Sequence, residues 1–294
     1  MEDVMVQISV DSHTCNGCGA CTLVCTGHVY TMAESKKVEV TPDLCWKCGH
    51  CVAACPVEAI DHSEYPLSVC PSINGDSVVK YEDLISTFRE RRSTRAFKEK
   101  QIPRDILQEL LEIGRYAPTG SNSQSIDWLV IDNPGTIREL SIRTVRVLAK
   151  TGGLLRNPLL QLYFRISRGP EMVREMKLFG PKIDKLRRRS EGGEDPIFFR
   201  APAVVVAHAP KSDGSARDNA IHALYNVELA ARRIGLGTCQ MGFVKFALDR
   251  SRPLRELLTL PSDRNPEAAL AIGYPQVMYH RALPRRKPRI SWMD

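Results

Sequence analysis

The sequence predicts an α+β chain in two parts, a small cysteine-rich module followed by a larger domain of helices and strands. Three observations point there. Cys15, Cys18, Cys21 and Cys25 recur 30 residues later as Cys45, Cys48, Cys51 and Cys55, an internal duplication. Beyond residue 80, apolar residues return at helical spacing in several stretches. Between those stretches lie continuous apolar runs, Ala203–Ala207 and Ala268–Gly273, of the kind that forms buried strands.

The cysteines come first. Two C-x2-C-x2-C-x3-C runs match the spacing that holds a pair of iron–sulfur cubanes. Three closely spaced thiolates wrap three corners of one cluster, and the fourth lies too far along to fold back, so it ligates the neighbouring cluster. Cys15, Cys18, Cys21 and Cys55 are therefore assigned to one [4Fe–4S] centre, and Cys45, Cys48, Cys51 and Cys25 to the other. Zinc is the competing reading, because C-x2-C is also a zinc spacing; the duplicated triplet-plus-one pattern favours clusters. Of the ten cysteines, Cys70 and Cys239 remain. Cys70 falls in a linker and reads as an incidental thiol.

The first strand is expected over residues 5–10, leading into the first cysteine loop, with Val38 and Val40 doing the same before the second. Residues 1–65 form the first module. Residues 66–80, rich in Pro, Ser, Asn and Gly, read as a linker, and 81–294 as the larger domain. A helical period starts at Tyr81, and another follows Pro103 through Leu107, Leu110 and Leu111 to Gly114. Residues 126–131 read as a strand. Residues 136–200 are a basic, mostly helical excursion or lid, expected to break at Gly152-Gly153, Gly169-Pro170 and Gly180-Pro181. After the Ala203–Ala207 strand, a helix begins at Asp218 and stops at Gly235. His208, at the end of that strand, reads as a packed strand-end residue.

Charge separates the same regions. Residues 1–65 carry nine Asp/Glu against three Lys/Arg, whereas residues 136–200 carry fifteen Lys/Arg against seven Asp/Glu. The basic segment lacks the aromatic interleaving or recognition helix of a nucleic-acid binder, so no nucleic-acid partner is expected. It reads instead as a lid, a cavity wall, a docking face or a membrane-surface patch. No apolar run has membrane-spanning length and no signal peptide stands at the start, so the expectation is a soluble, cytoplasmic protein.

Three stretches of the larger part carry a resemblance. Arg91-Arg92-Ser93-Thr94-Arg95, Ala117-Pro118-Thr119-Gly120-Ser121-Asn122-Ser123-Gln124 and Gly235-Leu236-Gly237-Thr238-Cys239 resemble nitroreductase-family motifs in order and spacing. Residues 1–65 resemble a bacterial two-cluster ferredoxin, and fusions of the two parts form a recognisable subgroup. The resemblance implies a central mixed sheet flanked by helices, an intertwined homodimer, and FMN as cofactor beside the two clusters. It implies Arg91, Arg92, Ser93 and Arg95 at the FMN phosphate, joined by a late arginine, Arg281 or Arg286. The Pro118–Asn122 stretch, with Thr119, approaches from the second subunit, Asn122 and Gln124 bind the flavin's ring edge and ribityl hydroxyls, and Leu236 and Gly237 lie against the isoalloxazine. The residue types suit these roles: guanidinium and hydroxyl groups bind phosphate, and amides match the edge of a flavin. Cys239 is a candidate for contact with flavin or substrate. One departure stands out, since Ser125-Ile126-Asp127-Trp128 replaces the family's frequent Pro-Trp.

No G-x-G-x-x-G follows a strand, so no Rossmann nicotinamide domain is present; the family uses NAD(P)H without one. The attached clusters imply an enzyme in which a low-potential donor protein feeds electrons through them to FMN. Hydride transfer from N5 then reduces an electrophilic small molecule, whether nitroaromatic, quinone, activated alkene or haloaromatic. The alternative is an electron-transfer adaptor between protein partners, with no small-molecule substrate. A cavity beside the flavin motifs discriminates the two.

Overall fold

A computed structural model describes residues 6–73, 79–154 and 156–293. Met5 of the expected first strand, residues 74–78 of the expected linker and Leu155 lie outside the described residues. The chain divides into two compact units, the first reaching Val79 and including Gly120–Ser123, the second holding the rest.

The duplication in the first unit is also a duplication of backbone. Strand β1 (Ile8–Val10), helix α1 (Ala20–Val24) and strand β2 (Tyr30–Met32) recur as β3 (Val38–Val40), α2 (His50–Ala54) and β4 (Ile60–His62). Both helices start from a glycine in the left-handed region, Gly19 at φ 75° and Gly49 at φ 71°, where a side chain is strained. The repeats interlock: β1 pairs antiparallel with β4, and β2 with β3, so each hairpin-like pair takes one strand from each repeat. Val29, Tyr30, Val52 and Ile60 fill the core between them together with Cys21 and Cys51. The unit continues past residue 65 because Tyr65 and Cys70 pack against that core.

The second unit opens with α3 (Tyr81–Glu90) and α4 (Arg104–Gly114), then β5 (Asp127–Ile131). Three helices follow, α5 (Pro134–Leu154), α6 (Pro158–Arg168) and α7 (Pro170–Glu191). The chain then returns through β6 (Ala203–Pro210), α8 (Ala216–Arg233), β7 (Gly237–Gln240), α9 (Gly242–Leu248), α10 (Arg252–Glu256) and β8 (Arg264–Gly273). The strands lie in the order β5-β6-β8-β7 with every pairing antiparallel. A parallel bridge between Ser93 and Thr238, at the outer edge of β7, adds the mixed character.

Successive side chains of a strand face opposite ways, which explains why β6 reads as one apolar run. Val204 and Val206 face a core with Leu140, Leu148, Phe198 and Val244 from the side of α5 and α9. Ala203, Val205 and Ala207 face a second core with Leu107, Leu110, Leu224 and Val227 from α4 and α8. Each fully buried Leu or Val contributes about 1.5–3 kcal/mol, so this two-sided burial holds the layers together.

One expected break is corrected. Helix α5 ends at Leu154, next to the break expected at Gly152-Gly153, but α7 runs through Gly180-Pro181 without ending. An internal proline costs roughly 3 kcal/mol of helix stability. The packing of Ile183 into the core, against the buried Gly152 of α5, offsets that cost. Helix α8 begins two residues before the expected Asp218 and gives way to Gly235 at φ 81°.

Candidate functional site

In the first unit, Cys25, Cys45, Cys48 and Cys51 line one cavity together with Tyr30 and His62. That cavity draws three cysteines from the second repeat and the last cysteine of the first. Burial pushes the Cys21 thiol up, with Cys15 and Cys18 adding to the effect, and pushes Cys51 up in the same way, with Cys48 and Cys45 adding. Each of these two thiols is thus influenced by the other two members of its triplet. Backbone N–H groups already aim at the fourth sulfur of each repeat: Val29 N–H donates to Cys25 Sγ at 3.4 Å, and Ala59 N–H to Cys55 Sγ at 3.2 Å. Such donors stabilise thiolate ligands, so the donor set fits two iron–sulfur clusters.

The second unit gathers two of the three motif stretches at the edge of its sheet. The Ser93–Thr238 bridge lays the Arg91–Arg95 segment along β7, and Thr94 N–H donates to the Thr238 carbonyl at 2.8 Å. Gly237 is needed for this approach, since a Cβ there would lie 2.9 Å from Thr94 Cβ. The glycine thus makes room for the neighbouring segment, where the sequence suggested room for an isoalloxazine. Leu236 is buried as a whole residue in the α4–α8 core, and its N–H donates to the Ala231 carbonyl at 2.9 Å.

Glu228 of α8 sits underneath. Its carboxylate is almost fully buried and lies 3.5 Å from Arg91 Nη1. Burial pushes its pKa up, while Arg91 and a hydrogen bond with Gln240 pull it back. Cys239 is buried too, and burial raises its thiol against the opposing influence of Arg95 and a hydrogen bond with Ser93. Burial thus favours the protonated form of this thiol. Arg95 is exposed and has no ion pair among the described residues. Two guanidinium groups and a hydroxyl on one short segment fit an anionic group such as a phosphate.

The third motif stretch goes elsewhere within the single chain. Thr119 Oγ1 accepts from Gln124 N–H at 3.1 Å, while Asn122 belongs to the first unit, where its Nδ2 donates to the Lys47 carbonyl at 2.6 Å. Ser121, Asn122 and Gln124 all adopt positive φ, a tightly kinked loop, and Pro118 ahead of it is exposed. Arg92 is half-buried beside the motif. In the tail, Tyr279 Oη donates to the Ser93 carbonyl at 3.2 Å. Arg281 therefore follows two residues after that anchor, and Arg286 seven; both are exposed. His208 is buried at the end of β6, where burial and Arg264 lower its pKa, and its Nδ1 finds no partner among the described residues.

Beside this cluster lies a cavity of about 670 Å³. Its walls are mostly apolar, with Phe179 and Ile183 from α7, Phe199, and Met241 and Phe243 following β7; Arg95 and Cys239 reach it from the motif cluster. The size and lining are those of a small-molecule site. Sequence reading did not pick out Phe199, Met241 or Phe243. The stripe Met172, Phe179, Ile183 and Leu186, spaced along one face of α7, was the available signal.

Comparisons with known proteins agree with this geometry. Residues 88–274 match the nitroreductase family model, and residues 14–59 match that of a 4Fe-4S dicluster domain. A 4-nitrobenzoate reductase from a Nocardioides species is 28% identical over 229 residues, covering 71% of this chain and 84% of that protein. A nitrobenzene nitroreductase from Ectopseudomonas oleovorans is 26% identical over 223 residues, covering 72% and 92%. Among solved structures, a nitroreductase with bound FMN from Bacteroides fragilis superposes with a TM-score of 0.51 at 22% identity, covering 72% of this chain and 99% of that one, a likeness of fold. With the family model spanning the sheet, its flanking helices and the motif cluster, this chain belongs to the nitroreductase family and carries a 4Fe-4S dicluster domain ahead of it.

Proposed function

We propose that the chain is a ferredoxin-coupled flavin oxidoreductase that reduces an electrophilic small molecule: a nitroaromatic, quinone, activated alkene or haloaromatic. Bound FMN supplies two-electron, hydride-type reduction, and the two [4Fe–4S] clusters supply single-electron delivery from a low-potential donor. Cys15, Cys18, Cys21 and Cys55 hold one cluster, and Cys45, Cys48, Cys51 and Cys25 the other. Arg91, Arg92, Ser93 and Arg95 hold the flavin phosphate and its neighbouring polar edge. The Tyr279 anchor favours Arg281 over Arg286 as the late arginine. Leu236 and Gly237 present backbone to the ring. Pro118, Thr119, Asn122 and Gln124 of a second copy complete the site in a homodimer.

The observation that carries the enzyme reading is the apolar cavity beside the motif cluster, which an adaptor between proteins would not need. Its apolar lining covers part of a bound acceptor, and Arg95 places positive charge where negative charge develops during reduction. Glu175, the carboxyl group in the lining, provides a route for protons from solvent. The deciding experiment is an anaerobic titration of the holoprotein with dithionite, followed by a screen of acceptors. Flavin reduction and then reoxidation by a small electrophile is expected. Flavin that stays oxidised while the clusters bleach would overturn the electron route, and a reduced protein that no small electrophile reoxidises would overturn the enzyme reading.

A further inference from the structure

Helices α6 and α7 present a surface that the proposed function does not use. Leu159, Leu162, Tyr163 and Ile166 of α6 are 76%, 54%, 62% and 79% exposed. Their spacing places them on one face of the helix, pointing away from Leu160 and Phe164, which are partly covered. Isolated exposed apolar residues are ordinary, but four large ones in a contiguous stripe mark an interaction site.

Between the two helices runs a groove of about 420 Å³, lined by Arg165, Pro170, Val173, Arg174, Lys177 and Leu178. Every charged residue of that lining is a cation. The acid within reach of Arg174 is Glu171, exposed and 4.0 Å away. Across residues 158–191 nine Lys/Arg face four Asp/Glu.

The combination selects the partner. A second copy applying the same face would set Arg165, Arg174 and Lys177 against their own equivalents. An acidic protein would satisfy the cations and leave the apolar stripe in water. A bilayer bearing anionic phospholipid satisfies both: the acyl boundary receives the stripe, and headgroup phosphates receive the cations. We propose that α6, with the first half of α7, is a peripheral docking face for an anionic membrane surface, with α6 lying in the plane of the interface. The cavity-facing residues of α7 lie on a different side of that helix, so docking leaves the cavity walls in place.

The test is co-sedimentation of the full-length holoprotein with vesicles of phosphatidylcholine alone and of phosphatidylcholine mixed with phosphatidylglycerol. Binding to the mixed vesicles alone is expected, weakening as salt is raised. Arg165→Glu and Lys177→Glu should each weaken it about fivefold or more. The double variant Leu159→Ser/Ile166→Ser should abolish it while reduction of a water-soluble acceptor continues, which shows that the fold is intact. Equal binding to neutral vesicles, no binding to either kind, or unchanged binding by these variants would overturn the proposal. So would a fall in oligomeric state of the Leu159→Ser/Ile166→Ser variant on analytical ultracentrifugation, which would make the face a contact between copies.

Discussion

Replacing Arg91 by methionine tests whether the carboxylate beneath the motif cluster depends on its guanidinium. Glu228 has a side chain only 3% exposed, paired with Arg91 at 3.5 Å. Removing one partner of a buried pair typically costs 3–5 kcal/mol. The long separation, and the 21% of the Arg91 side chain left in water, place this pair at the low end, about 3 kcal/mol. For a unit of this size that lowers the melting temperature by roughly 6–12 °C.

The loss depends on pH, with a definite sign. Burial raises the folded-state pKa of Glu228 above its unfolded value, so the native state keeps the proton longer. Stability is therefore lost as pH rises from the unfolded pKa through the raised folded one. Arg91→Met removes an influence that lowers that pKa, so the folded value climbs further and the window of loss widens. The deficit of Arg91→Met should be large at neutral pH and shrink toward mildly acidic pH. Glu228→Gln in the Arg91→Met background should restore most of the stability. The assay is thermal denaturation by circular dichroism on flavin-free protein, so that changed cofactor affinity does not enter. A deficit independent of pH, or a double variant no more stable than the single, would refute the reasoning.

Three further outcomes are expected. Cys25→Ser should damage the cluster held by Cys45, Cys48 and Cys51, and Cys55→Ser the other, each removing about half of the iron and acid-labile sulfide by the assignment of one crossing cysteine per cluster; Mössbauer or EPR spectra in which Cys25→Ser behaves like Cys15→Ser would show that the crossing is misassigned. Gly237→Ala should force Thr94 away from β7, costing about 1–3 kcal/mol and weakening flavin retention, as read by melting and by flavin fluorescence in the filtrate. Cys239→Ala should leave acceptor reduction close to that of the parent, and the parent's Cys239 should resist iodoacetamide at mildly alkaline pH because burial holds it as the thiol; rapid alkylation at that residue, followed by mass spectrometry, would contradict this.

The parts of the molecule legible in its sequence were those specified by local rules. Ligand spacing is local, so the sequence groups Cys25 with Cys45, Cys48 and Cys51, which line one cavity. Two-sided burial writes itself into β6 and β8 as unbroken apolar runs. Strand β7 was not recognised, because Gly-Thr-Cys-Gln has no pattern of its own and becomes a strand through pairing with β8. The break expected at Gly180-Pro181 followed from propensity, which tertiary packing around Ile183 overrides. Asn122 was placed by motif alone, and its bond to the Lys47 carbonyl joins residues 75 apart, beyond any local signal. The cavity is likewise a tertiary object: Phe179, Phe199 and Met241 come from three separate segments.

The proline inside α7 has a mechanical consequence. Pro181 has no N–H to give to the Lys177 carbonyl, so one backbone hydrogen bond is missing where the N-terminal leaf of the helix meets its C-terminal leaf. The C-terminal leaf carries Ile183, seated in the core, and Leu186 packed against it. The N-terminal leaf carries Met172, Glu175 and Phe179 and has α6 packed behind it. That wall of the cavity is therefore built from two leaves with different support, one seated in the core of the sheet and one held by α6.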